Sequence, residues 1–247
     1  MTIPFEPTVA GVSVNVHLIL EYLAFFVAFR YYLYLRRKSS DHLSSSTRLT
    51  IILGATLGAL AGSRIMGFME NPVFDYSVDG LIHLLNVKTI MGGLFGGLLG
   101  VEIAKWKIGE KRSSGDLFTL PIILGIFIGR IGCFLAGTNE FTYGTETSFF
   151  AAMDLGDGML RHPIALYEIL YLAIIFIVFT RLAKQDKLES GVLFQWFMLS
   201  YFGFRFLIEF IKPNIFYTLG LSSIQWLCII CFVYYRRTFV KLLKYAY

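Results

Sequence analysis

The chain has 247 residues, 56% of them hydrophobic and 16% charged, with a mean hydropathy of +0.64. So much apolar surface excludes an ordinary water-soluble domain and points to a polytopic membrane protein. The net charge of +5 reads as a topology signal and an affinity for anionic lipid; no basic-aromatic groove argues for nucleic acid.

Seven stretches approach the roughly 20 apolar residues that cross a bilayer: 16–35, 48–68, 89–104, 117–137, 163–180, 191–211 and 222–240. The first lacks a positive n-region and a small-residue cleavage site, so it is expected to stay as a helix rather than be removed as a signal peptide. Most of the 22 basic residues cluster on one side: Arg30 to Arg48, Lys105 to Arg112, Arg181 to Lys187, and Arg236 to Lys244. By the positive-inside rule the N-terminus lies outside and the C-terminus is cytoplasmic. The expected architecture is an all-α seven-helix bundle, one domain over 1–247, with a small outer head segment from the stretches 70–88 and 138–162. No internal repeat supports a secondary transporter.

In the second and third stretches Gly54, Gly58 and Gly62, and Gly92, Gly96 and Gly100, recur every four residues, the spacing that lets helix backbones approach closely in lipid. Packing is the main reading, and a weaker one leaves the backbone of Gly92 and Gly93 open to a ligand. Cys133, Cys228 and Cys231 all fall in apolar runs, so no disulfide framework is implied. Neither a metal site nor a cofactor is expected.

The fourth stretch carries Arg130 in "GIFIGRIGCFLAG". It lies 13 residues in, and Arg205 lies 14 residues into the sixth stretch, which puts both about 20 Å from the cytoplasmic edge at 1.5 Å per residue. Arg64, in the second stretch, comes slightly higher. An intramembrane arginine costs at least about 2.5 kcal/mol, so charges at one level must face acids or a bound anion. Glu168 and Glu209 are the available acids, with Arg205 and Glu209 at i, i+4 on one helix face; Lys212 follows a turn later. Two readings therefore stay open: buried ion pairs holding the bundle, or a phosphate site, for which guanidinium offers paired donors. The nearest phosphates at that depth belong to lipid headgroups.

"GSRIMGF", "TIMGGLFGGLLG", "GRIGCFLAG…YG", "RHPIALYE" and "YFGFRFLIEFIK" together make the chain resemble the bacterial prolipoprotein diacylglyceryl transferases over nearly its whole length. The resemblance implies transfer of the diacylglyceryl group of phosphatidylglycerol to the lipobox cysteine of a prolipoprotein, recognised with its signal peptide, at the outer face of the bacterial cytoplasmic (inner) membrane. It implies that Arg130 and Arg205 match the arginines taken to be essential, and that Gly144 matches the glycine closing the loop motif. Arg64, Gly92, Gly93, Gly144, Glu168, Glu209 and Lys212 complete the expected lipid site.

Three positions depart from the family pattern. Met91 stands where a histidine often precedes the paired glycines, Cys133 replaces an asparagine with Glu140 displaced, and Lys212 stands where arginine is common. Without the histidine, thiol activation falls to His162, Glu140 or Tyr143, although His162 before Pro163 serves equally as a helix cap. His83 reads as a surface residue; His17, with Glu21 and Tyr22, is placed to line the same cavity. The alternative function is a non-catalytic, lipid-binding relative acting as a subunit of a membrane assembly.

Overall fold

The computed structural model describes residues 3–9, 11–39, 43–70, 72, 77, 87–184, 188–238 and 240. Among the described residues seven α-helices carry the fold: α1 (Val16–Lys38), α2 (Ser45–Glu70), α3 (Ile90–Ile108), α4 (Asp116–Ala136), α5 (Ile164–Leu182), α6 (Val192–Ile208) and α7 (Ser223–Tyr234). Among the described residues four stretches suffice by length and composition to cross a membrane: α1, α2, the run Asp116–Asn139 that extends α4 into a 3-10 turn, and α5; α7 is a shorter apolar helix. His83, expected at the surface, lies outside the described residues.

The helix ends have local causes. Asn15 accepts a hydrogen bond from the Leu18 N–H at 2.9 Å and starts α1, while Arg36, Arg37 and Lys38 occupy its last turn, where the helix dipole favours cations. Thr89 caps α3 through the Gly92 N–H at 3.0 Å, and Gly109 ends that helix with φ 69°, the left-handed C-terminal geometry suited to glycine. Ser222 and Gln225 form a reciprocal capping box that opens α7, as a Ser-x-x-Gln spacing allows.

The chain divides into two compact units. In the first, α1 packs on α4 and α4 on α5. A head of two short hairpins accompanies them: β1 (Thr8–Val9) with β2 (Val12–Ser13), and β3 (Met153–Asp154) with β4 (Leu160–Arg161), both antiparallel. At the β3–β4 turn the Asp154 carboxylate accepts from the N–H groups of Gly156 and Gly158, whose φ values of 115° and 76° require glycine. Asp157 reaches Arg161 at 2.7 Å. Asp116, in the first turn of α4, accepts from the N–H groups of Gly191 and Phe194 and so holds the start of α6.

In the second unit α2 and α3 pack along their glycines. A Cβ at Gly92 would meet the Met66 Cβ at 2.7 Å and the Gly62 carbonyl carbon at 2.9 Å, whereas a Cβ at Gly93 meets only the Ala59 oxygen and Ser63 Cβ at 3.8 Å. Ser63 also accepts from the Thr89 N–H through its hydroxyl and donates to the Thr89 carbonyl, fixing the register of the pair.

Gly92→Ala is therefore expected to lower stability by about 1–3 kcal/mol, the usual cost of overpacking, while Gly93→Ala is neutral or stabilising because alanine is the better helix former; thermal unfolding in detergent checks both. In the head, the Arg161 hydrogen bond holds the Asp157 carboxyl below its usual range. A depressed carboxyl stabilises the folded form above the unfolded value of about 3.9 and loses that contribution as pH falls through the lower folded value. Amide protection over 153–161, corrected for intrinsic exchange, should fall with acid in the native chain and lose that dependence in Asp157→Asn.

Candidate functional site

The first unit brings five of the singled-out side chains into one line. Arg130, on α4, and Glu168, one turn into α5, form an ion pair with Nε to Oε1 at 2.8 Å; their side chains are 8% and 0% exposed. Arg130 Nη1 lies 3.6 Å from Cys133 Sγ, one turn along α4. Cys133 Sγ lies 3.7 Å from His17 Nε2, and His17 Nδ1 lies 3.1 Å from Glu140 Oε1. The sequence order 17, 130, 133, 140, 168 thus becomes a spatial order Glu140, His17, Cys133, Arg130, Glu168. Gly132 makes this possible: a Cβ there would stand 3.2 Å from the His17 ring.

Tyr22, expected beside His17, is exposed on α1. Five residues separate the two, which at 3.6 residues per turn puts them on different faces. His162 does not cap α5: the N-cap residue is Pro163, without a side-chain hydrogen bond. The His162 Nδ1 instead pairs with the Tyr167 hydroxyl at 3.2 Å.

Gly144 is buried where three segments meet. Its N–H donates to the His162 carbonyl at 2.9 Å, and an added Cβ would lie 2.9 Å from the Ile211 oxygen. Lys212 is buried over the Phe141 ring, 4.5 Å from its centre, so its charge meets an aromatic face. Tyr143 likewise faces the Arg161 guanidinium at 5.2 Å.

The second unit holds Arg205 and Glu209 with Nη2 to Oε1 at 2.5 Å, the i, i+4 contact expected from spacing. Glu209, fully buried, also accepts from Asn214 Nδ2 at 2.6 Å and from the Ser222 hydroxyl at 3.3 Å. Asn214 and Ser222 are site-forming residues that sequence reasoning missed; the Ser222 capping box was the one local signal available. Arg64 donates to the Val87 carbonyl at 2.8 Å. The N–H groups of Gly92 and Gly93 both bond to Thr89, so their backbone donors serve the start of α3. Met91 is 1% exposed. Of the two readings left open for Arg130 and Arg205, this geometry contains the ion pairs.

The chain from residue 7 to 240 matches the model of a family described as prolipoprotein diacylglyceryl transferase. The chain belongs to that family. Among its relatives, the phosphatidylglycerol–prolipoprotein diacylglyceryl transferase of Bordetella bronchiseptica is 32% identical over 212 residues, covering 78% of each chain. The protein of the same name from Idiomarina loihiensis is 29% identical over 218 residues, 84% of this chain and 81% of its own. That from Nitratidesulfovibrio vulgaris strain DP4 is 29% identical over 197 residues, 76% and 69%. With its apolar helices, this member of the family is a multi-pass membrane protein.

Breaking a buried pair by removing one partner costs about 3–5 kcal/mol, because the other charge stays uncompensated. Glu168→Ala should lower the unfolding free energy by that amount, and Glu168→Leu combined with Arg130→Leu should restore most of it. Thermal unfolding of the two variants beside the native chain makes the comparison.

Proposed function

We propose that this chain transfers the diacylglyceryl group of phosphatidylglycerol to the lipobox cysteine of a prolipoprotein, at the outer face of the bacterial cytoplasmic membrane. In this reading all seven helices cross, with the N-terminus outside and the C-terminus cytoplasmic, and the head segment of residues 138–162 meets the aqueous side. The match of residues 7–240 to the transferase family carries the proposal.

The chemistry is a displacement at a glyceryl carbon by a thiolate, with glycerol phosphate leaving. The developing phosphate charge is stabilised by guanidinium groups; Arg130 and Arg205 are assigned that work, each with a carboxylate that holds it in place. A guanidinium carries five N–H donors, more than one ion pair uses. Arg64, Gly144 and Lys212 are assigned to the walls and loops of the lipid site, and His162 and Glu140 to activation of the acceptor thiol.

A second reading, a non-catalytic lipid-binding subunit, is favoured by Met91, since a buried thioether cannot take a thiol proton. The two readings part in a bacterium depleted of its own transferase. Restored lipoprotein modification supports the enzyme; no modification at any pH, together with gain of transfer in Met91→His, supports the subunit.

Arginine-to-alanine changes would confound function with the folding cost of an orphaned carboxylate. Arg130→Lys and Arg205→Lys keep the charge and lose the fork. Each is expected to reduce transfer at least a hundredfold, the scale of one lost transition-state donor, with the protein still in the membrane. Near-native transfer by either would exclude that arginine from the phosphate site.

A further inference from the structure

Cys133 differs from the other two cysteines in what surrounds its sulfur. Cys228 and Cys231 are fully buried in α7, in the run "WLCIICFVYY". Around Cys133 Sγ stand His17 Nε2 at 3.7 Å and Arg130 Nη1 at 3.6 Å, and behind the imidazole stands Glu140 at 3.1 Å. These groups come from three different elements, α4, α1 and the segment after the 3-10 turn at Gly137–Asn139. The Glu140 carboxylate can only accept, so Nδ1 carries a proton, and in the neutral imidazole Nε2 is the nitrogen that can take the thiol proton. Nucleophile, base and orienting carboxylate thus follow in sequence, the arrangement that activates a thiol, with the arginine adding a fixed positive charge beside it.

We propose that Cys133 is a nucleophile that takes a fatty acyl group from an ester of a membrane lipid, with His17 as its base and Glu140 as the positioning residue for that base. The electrophile's class follows from reversibility. Attack on a saturated carbon would leave a thioether on Cys133 and end turnover, whereas attack on a carbonyl gives a thioester, which a second nucleophile can discharge. Lipid esters suit the location. Cys133 stands three residues before the end of α4, about 4.5 Å along the axis, in a closely packed and mainly apolar surround of Phe134, Leu155, Pro163 and Ala165, with Thr142 beside them.

In the step itself the thiol proton passes to His17 Nε2 as the sulfur–carbon bond forms at the ester carbonyl. The ester carbon–oxygen bond then breaks, and the same proton goes to the departing glyceryl oxygen. The products are the Cys133 thioester and a lysolipid, and nothing is oxidised or reduced. Water then cleaves the thioester, releasing the fatty acid and restoring the thiol. This breaks an acyl ester bond, not the bond between glycerol and phosphate, and so does not rest on the diacylglyceryl reading.

The test uses the full chain purified in detergent, mixed with phosphatidylglycerol carrying isotopically labelled acyl chains, quenched by acid and mapped by mass spectrometry. The expected result is an acyl adduct on Cys133, removed by hydroxylamine, absent in Cys133→Asn and formed at least a hundredfold more slowly in His17→Gln, the range for a lost general base. Cys133→Asn carries the residue usual in the family motif, and mapping the native chain locates the adduct without any variant. No adduct on Cys133, a hydroxylamine-stable adduct there, or an undiminished rate in His17→Gln overturns the proposal. Diacylglyceryl transfer to a lipobox peptide, followed in the same samples, reports separately on the function proposed above.

Discussion

The pairing of Arg130 with Glu168 is the interaction on which the first unit depends. Either charge alone, at these burials, would be untenable in an apolar helix; together they lock α4 to α5 at one register. That register fixes everything a turn away. Cys133 follows Arg130 by three residues, so the pair that orients the guanidinium also sets the sulfur's position. The hydrophobic effect cannot do this in lipid, where one apolar face is as good as another, and association must come from close packing and polar contacts.

The second unit applies the same two devices in separate places. Gly54, Gly58, Gly62 and their partners on α3 bring two backbones together with no room for a methyl group. Glu209 then gathers Arg205, Asn214 and Ser222 where α6 ends and α7 begins. Its carboxylate has enough acceptor sites for all three donors, which is why full burial is tolerable. Ser222 serves twice, as the cap of α7 and as a donor to Glu209, and so couples a helix start to a buried charge.

The elements were legible because hydropathy and capping are local. The expected stretch 117–137 and the observed α4, Asp116–Ala136, differ by one residue at each end. The stretch 191–211 is filled by α6 and a 3-10 turn: α6 stops at Ile208 and Glu209–Ile211 tighten, at the point where Glu209 turns toward Asn214 and Ser222. The stretch 222–240 contains α7, Ser223–Tyr234, and helical backbone again at 236–238. The charge partners were legible only as alternatives, because counting arginines and acids does not tell which way a guanidinium points. Least legible was the contact of His17 with Cys133, separated by 116 residues. It depends on the bare backbone of Gly132, whose role appears only when α1 is laid against α4.

Two of the three positions singled out by the resemblance, Met91 and Cys133, have opposite physical consequences. Met91 is sealed in the core of its unit and can neither take nor give a proton, so α3 contributes shape there and no acid–base chemistry. Cys133 puts an ionisable atom where the resemblance expects an amide, 3.7 Å from an imidazole that Glu140 contacts at its other nitrogen. A buried asparagine at position 133 would need only hydrogen-bond partners, whereas a thiol facing a histidine and an arginine has a second charge state open to it. That difference gives Cys133 a chemical character that packing on α4 alone would not require.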